Sequence, residues 1–313
     1  MRKKINLAVI FYGRADQLPI NKRQLDYLKN NLSDFNVSGY DFNRGERAKL
    51  LADFNQGKID TVLKNSYGRE HEAEIELFLE SNRIPYFGSD AKATFIGTSK
   101  YLSKQVFREH NLPVAEDVFV DKTIWRKNKE KVIKNIVNRI GFPCLVKDIG
   151  GTDSRGIYKI NSQAQVEKIL DKAVAAHEGV IVEEFINNAY EAVCLAVGND
   201  RPVIFTPLGL NKGRQDFLTS KQKDGFSLVK LDIPAKLPVK IINQIKKLTG
   251  AAHRALGCRT FSRADILVAG NELYLLEVDV HTGFSEFSAA TVSAKYEGMD
   301  INKLFLKFYK LIK

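Results

Sequence analysis

Two short stretches near the carboxyl end, Arg263-Ala-Asp265 and Glu277-Val-Asp279, constrain this chain more than any other feature. Asp265 lies in a run, residues 261–268, that reads as a strand, and Glu277 and Asp279 stand two apart in a second one. The segment between them, Ala269-Gly270-Asn271-Glu272, is a turn signal of the kind that joins antiparallel strands. Alternation along a strand then puts Glu277 and Asp279 on one face, on neighbouring strands with Asp265. Three carboxylates gathered this way repel one another unless a cation compensates them. Oxygen donors without histidine or cysteine suit Mg²⁺, which is usually held by a few carboxylates together with substrate phosphates. A solvated polar face is the plainer alternative.

A chain of 313 residues has room for two domains or three small ones. No apolar run approaches the roughly 20 residues of a membrane span, so neither a span nor a membrane partner is expected. The opening Met1-Arg-Lys-Lys-Ile-Asn-Leu-Ala-Val-Ile-Phe11 has a basic start but a short apolar run, and reads as a first buried strand rather than a signal peptide. Cys144, Cys194 and Cys258 are scattered through apolar stretches with neither metal nor redox spacing. They are expected to be reduced core residues of a cytoplasmic protein. The net charge of +11 is spread along the chain, with no nucleic-acid reading module, so no nucleic-acid partner is expected. The basic side of the last helix, residues 302–313, reads as a solvated face, and a small anionic ligand is the more economical use of the charge.

Strand and helix patterns alternate through the first third: a strand at 5–11, a helix at 21–32, a strand at 59–63, a helix at 72–81 and a short strand at 84–88. That order predicts a parallel sheet with crossover helices. A helix at 99–110 follows, broken by Leu112-Pro-Val114. The middle differs. It reads as a helix at 131–140, a strand ending at Lys147, a glycine-bearing loop at 148–156, a strand at 157–160, a helix at 162–176 and a strand at 180–186. Two antiparallel strands are expected within 191–208, an aperiodic surface loop at 211–226 and a long helix at 239–256 before the acidic strand pair.

Three further pieces carry chemistry. The loop Gly150-Gly-Thr-Asp-Ser-Arg-Gly156 has the glycines, hydroxyl and exposed amides of a flap over phosphates, although a plain hairpin reads equally well and the P-loop pattern is absent. Lys147, at the end of an apolar strand, can neutralise a phosphate or simply snorkel to solvent. Val182-Glu-Glu-Phe-Ile186 followed by Glu191 can hydrogen-bond an adenine, cover its face and hold a ribose, or be an ordinary edge strand.

Taken in order, these pieces resemble the ATP-grasp ligases, and within them the D-alanine–D-alanine ligases, over nearly the whole chain. Ile84-Pro-Tyr-Phe-Gly-Ser89, Ser99-Lys100 and Leu112-Pro-Val114 look like that family's entry into its central domain. Gly141-Phe-Pro-Cys-Leu-Val-Lys147 looks like its nucleotide strand and Val182-Glu-Glu-Phe-Ile186 like its adenine hinge. Ala255-Leu-Gly-Cys258, Arg263-Ala-Asp265 and Glu277-Val-Asp279 through Gly283 look like its metal and catalytic strands. The resemblance implies an α/β (α+β) ATP-grasp fold: a parallel α/β domain over 1–95, a central subdomain with the flap over 96–179, and a last subdomain over 180–313.

It also implies roles by position. Lys100 and Lys147 contact ATP phosphates, with Ser154 in the flap above them. Glu183, Glu184, Phe185 and Ile186 line the adenine, and Glu191 holds the ribose. Asp265, Glu277 and Asp279 bind two Mg²⁺, for which Mn²⁺ can substitute. Arg263 and the Gly283 amide stabilise an oxyanion, while Ser288 and Lys221 hold a substrate carboxylate. The implied activity joins a small carboxylic acid to an amine through an acyl-phosphate, in a cytoplasmic enzyme that by analogy is a homodimer. The readings beside it are a D-alanine–D-alanine ligase with a divergent first-substrate site and a non-catalytic, ATP-binding regulatory protein.

Departures from the family gather in the amino-terminal third. Tyr12-Gly-Arg-Ala-Asp-Gln-Leu-Pro19 replaces its glycine-rich loop with a glutamate, and Leu63-Lys-Asn-Ser-Tyr-Gly68 replaces a strand ending in His-Gly. Arg14, Asp16, Lys64, Arg69 and His71 are candidates for reading a different first acid there, each with a surface role as the alternative. Asp279 stands where the family usually has asparagine, and Val280-His281-Thr282 where it usually has proline. His281 is either catalytic or a hydrogen-bonding loop residue.

Overall fold

The computed structural model describes residues 3–13, 18–67, 72–150, 157–211 and 230–313. Ser154, Lys221, Arg14, Asp16, Arg69 and His71 lie outside the described residues.

The alternating first third folds as its pattern predicts. Strands β1 (Ile5–Gly13), β2 (Phe35–Asp41), β3 (Thr61–Tyr67) and β4 (Tyr86–Phe87) form a parallel sheet in the order β2-β1-β3-β4, linked by helices α1 (Leu18–Asn31), α2 (Arg47–Asn55) and α3 (Glu72–Ser81). Helix α4 (Ala91–Thr98) leads from this sheet into α5 (Lys100–Glu109). Ser99 separates the two, its hydroxyl accepting a hydrogen bond from the Leu102 N–H as the cap of α5. Strand β2 and helices α2 and α4 were not expected from the sequence.

The second sheet is antiparallel, in the order β5-β8-β6-β7, from β5 (Asp117–Asp121), β6 (Cys144–Asp148), β7 (Tyr158–Ile160) and β8 (Gly179–Glu184). Helices α6 (Lys122–Lys127), α7 (Lys129–Arg139) and α8 (Val166–Ala176) share a core with one face of it, which includes Val146, Val182, Trp125, Ile136 and Leu170.

The third sheet is also antiparallel. Its path is β12-β11-β9-β13-β14, from β9 (Tyr190–Val197), β11 (Leu208–Asn211), β12 (Lys230–Asp232), β13 (Phe261–Ala269) and β14 (Glu272–Asp279), with β10 (Val203–Ile204) paired to β9. The long helix α9 (Val239–Leu256) packs Ile241, Ile245, Leu248, Ala252 and Leu256 against Ala192, Cys194, Ala264, Ile266 and Leu275. Helices α10 (Ala289–Tyr296) and α11 (Ile301–Leu311) end the chain. Lys303 and Lys310 of α11 are exposed, as its basic side predicts, while Leu304, Phe305 and Phe308 are buried. All three cysteines are buried and unpaired, and burial pushes their thiols up to about 11 for Cys144 and about 12 for Cys194 and Cys258. They are inert core residues.

Candidate active site

The acidic hairpin forms with the expected turn, Gly270 adopting a φ of +60°. Arg263 lies opposite Asp279 and Asp265 opposite Glu277. Between Asp265 and Ile266 the register shifts: Ile266 pairs with Leu275, so β14 carries an extra residue. This bulge breaks the two-residue alternation. Leu275 and Val278 both enter the core beneath α9, while Glu277 and Asp279 turn to the other face with Arg263 and Asp265. Without it, a strand that buries Leu275 would bury Glu277 as well.

On that face Arg263 sits among the carboxylates. Its Nε and Nη2 donate to the two Asp265 oxygens at 2.7 and 3.0 Å, and its Nη1 lies 3.1 Å from Asp279 Oδ2. Burial alone would push the guanidinium pKa down, but Asp265, Asp279 and Glu277 outweigh it and raise it. Glu277 lies 3.3 Å from Lys100 Nζ. Lys100 opens α5, and its N–H donates to the Ile149 carbonyl at 2.9 Å, just beyond β6. One residue thus ties the acidic face to the strand that carries Lys147 and to the start of the glycine loop.

Lys147 projects from β6 to Glu183 on β8, whose second oxygen lies 2.5 Å from Lys104 of α5. Glu183 and Lys104 are both fully enclosed, and Lys104 also donates to the Ala115 carbonyl. Burial would push the Glu183 carboxyl pKa up, but the Lys104 and Lys147 ammonium groups hold it down at about 2. The Glu183 side chain is therefore committed to lysines, and Glu184 faces the other way along β8. Phe185 and Ile186 lie just past the strand end, half-buried, with Lys159 Nζ 4.0 Å from the Phe185 ring centre. Glu191 is buried on β9, two residues from Val193, which pairs with Asp265, and so shares the acidic face.

Beyond β14, Gly283 is half-buried in the loop that reaches α10. Ser288 caps α10: its Oγ accepts from the Thr291 N–H and lies 3.0 Å from the Ser285 carbonyl. Lys64, one of the first-acid candidates, is buried on β3 and paired with Glu76 of α3, and His281 joins them.

Lys104 and Glu76 belong to these networks and were missed in the sequence. The readable signal was a polar residue at a core position. Lys104 lies on the helix face that buries Ser103 and Phe107, and Glu76 sits beside Ile75 in α3.

Asp265, Glu277 and Asp279 offer oxygen donors alone. Among the described residues no group of three or more acidic, histidine or cysteine side chains is placed to hold a metal ion by itself, and Arg263 takes both Asp265 oxygens. Such a donor set fits Mg²⁺, which takes one or two carboxylates from a protein and its remaining ligands from phosphates and water. Calcium or zinc, needing more protein ligands, suits it less well.

The family model for the D-ala D-ala ligase C-terminus matches residues 106–310, a span holding the second sheet, the acidic hairpin and Glu183 with Lys147. The chain belongs to the D-alanine–D-alanine ligase family. The D-alanine–D-alanine ligase of Borrelia duttonii (strain Ly) is 30% identical over 262 residues, covering 81% of this chain and 71% of that protein. That of Halothermothrix orenii is 26% identical over 268 residues, covering 85% and 77%. In structure, the chain superimposes on the VanG D-Ala:D-Ser ligase from Enterococcus faecalis with a TM-score of 0.82, at 21% identity and over 99% and 100% of the two chains. The D-alanine–D-alanine ligase from Bacillus anthracis complexed with ATP gives 0.81, at 20% identity and over 98% and 97%. These likenesses extend the family's ATP-grasp fold over nearly the whole chain, including the first third that the family model leaves uncovered.

Proposed function

We propose that this ATP-grasp carbon–nitrogen ligase uses ATP to join a small carboxylic acid to an amine, making an amide or peptide bond through an acyl-phosphate. The observation that carries this is the face holding Arg263, Asp265, Glu277 and Asp279, bridged by Lys100 to the strand of Lys147. An oxygen-only anionic face next to two lysines is what a triphosphate and its cation require. Lys100 and Lys147 would contact the phosphates, with Ser154 in the flap above. The β8 edge with Phe185 and Ile186 would take the adenine, and Glu191 the ribose. Glu183 would act from behind, holding Lys104 and Lys147 in place. Asp265, Glu277 and Asp279 would hold Mg²⁺, which when bound offsets charge on the phosphoryl oxygens.

In this reading the acid's carboxylate oxygen attacks the γ-phosphorus, ADP leaves, and the amine then attacks the acyl carbon and expels phosphate. Arg263 and the Gly283 N–H would donate to the oxygen that becomes negative in that second step. Ser288 and Lys221 would hold the carboxylate of an amino-acid amine. D-alanine, named for the relatives, is one acid to test; the altered stretches at 12–19 and 63–68 favour a different first acid.

The test is amine-dependent phosphate release across a panel of acid and amine pairs, with the product identified by mass. Asp265→Asn combined with Glu277→Gln is expected to lower turnover at least 100-fold, and near-normal turnover in that double variant would overturn the metal role. ATP binding without turnover across a broad panel would favour a regulatory nucleotide-binding protein instead.

A further inference from the structure

Beneath the loop that follows β14 lies a buried, charged cluster that the reaction outlined above leaves unused. Lys64 Nζ, on β3, lies 2.9 and 3.1 Å from the two Glu76 oxygens on α3, and 3.0 Å from His281 Nε2. Both charged side chains are almost wholly enclosed, Glu76 at 1% exposure and Lys64 at 6%. An ammonium group only donates, so the ring nitrogen facing it accepts, and the same nitrogen lies 3.6 Å from Glu76 Oε1. Two charges taken out of water at this depth cost more than their mutual attraction reliably returns, so a pair of apolar side chains would stabilise the site as well. What the pair adds is a fixed position for His281.

That position matters because of what the loop holds. The His281 N–H donates to Asp279 Oδ1 at 2.9 Å, on the acidic face, and Gly283 lies two residues further on. The Phe284 N–H donates to the Oε1 of buried Gln24, on α1, at 3.2 Å. Gly97 of α4 packs so closely that a Cβ there would stand 2.8 Å from Val280. Residues 280–284 are therefore held from three sides by elements of the amino-terminal third.

We propose that Lys64 and Glu76 are positioning residues that act through His281 to set the Gly283 amide against the acidic face. The amino-terminal sheet would then tune the rate of bond formation as well as reading the acid. This inference rests on the ligase reading, and its test keeps the two apart.

His281→Leu removes the acceptor of the Lys64 proton. It should lower kcat at least tenfold while leaving KM for ATP within twofold, and should speed hydrogen exchange at the amides of 280–284 at least tenfold. His281→Gln keeps an acceptor at a similar reach and should recover kcat to within about threefold. Lys64→Met with Glu76→Gln, a neutral pair of similar size, should reproduce the His281→Leu result if it folds; His281→Leu and His281→Gln decide the matter if it does not. Unchanged kcat and unchanged loop exchange in His281→Leu would overturn the inference. So would an equal loss in Leu and Gln variants, which would mark a packing role. If the wild-type protein releases no phosphate with any pair, the ligase reading fails, and loop exchange alone then decides whether the cluster anchors the loop.

Discussion

Glu183 shows how much one side chain in this site does. Its carboxylate reaches both Lys104 and Lys147, and it is buried with Lys104. Glu183→Gln keeps the shape but leaves two ammonium groups without their counter-charge, which is expected to cost about 3–5 kcal/mol in urea denaturation. The acid response should change with it. Folding lowers the Glu183 pKa from its ordinary 4.5 to about 2, so the carboxylate contributes stability above pH 4.5 that is lost as pH falls toward 2. The Gln variant should be less stable at neutral pH and flatter between pH 4.5 and 2; an unchanged acid slope would contradict this account. Legibility at this scale followed the strand period. Asp265, Glu277 and Asp279 could be read because alternation fixes a face, and Arg263 through the family resemblance, although nothing in the sequence announced the bulge that keeps Leu275 off it. Lys147 and Glu183 could be read as candidates but not as partners, since they stand on different strands, 36 residues apart.

At the scale of elements, the sequence was readable wherever the apolar period was clean. Helix α3 and helix α9 have the bounds that their spacing predicts, and the acidic hairpin forms around its turn. The elements that escaped are those whose composition serves a neighbour instead of a propensity. Strand β2 carries Gly39 because a Cβ there would lie 2.8 Å from Phe11 and 2.9 Å from Leu25 on the crossing helix α1. Helix α4 is diluted by Thr94, Thr98 and Gly97, and Gly97 is there to admit Val280. Two glycines within helices therefore should respond oppositely to alanine. Gly97→Ala forces the loop after β14 to move, with an expected loss of about 1–3 kcal/mol from overpacking and a lower kcat. Gly250→Ala, in α9, meets neighbours at an ordinary 3.5 Å and should gain about 0.5–1 kcal/mol from helix propensity. Thermal unfolding of both variants checks the sign, and a destabilised Gly250→Ala would show that the packing around α9 is tighter than these contacts imply.

Across the whole molecule, the ends of the chain meet. The core beside the parallel sheet contains Leu7, Val9, Leu28 and Phe87 from the first third together with Leu195, Phe261, Phe284, Leu304, Phe305 and Phe308. Helical spacing foretold the apolar face of the last helix, but a period says only which side is apolar and not which distant strands cover it. Phe305 stands at the centre of this seam, its ring 5.8 Å from that of Phe87, 5.3 Å from Phe284 and 6.1 Å from Phe35. Because it joins the parallel sheet to the loop bearing Gly283, its loss should be felt on both sides at once. Phe305→Ala is expected to cost about 3–5 kcal/mol. Amide exchange should speed together in β1 and β3 on one side and in β9 and β13 on the other, within a single calorimetric transition. Destabilisation confined to the parallel sheet would instead mean that the carboxy-terminal unit folds independently of it. The amino-terminal third would then lose its proposed hold on residues 280–284, since a loop anchored to a sheet is only as fixed as the core that joins the two.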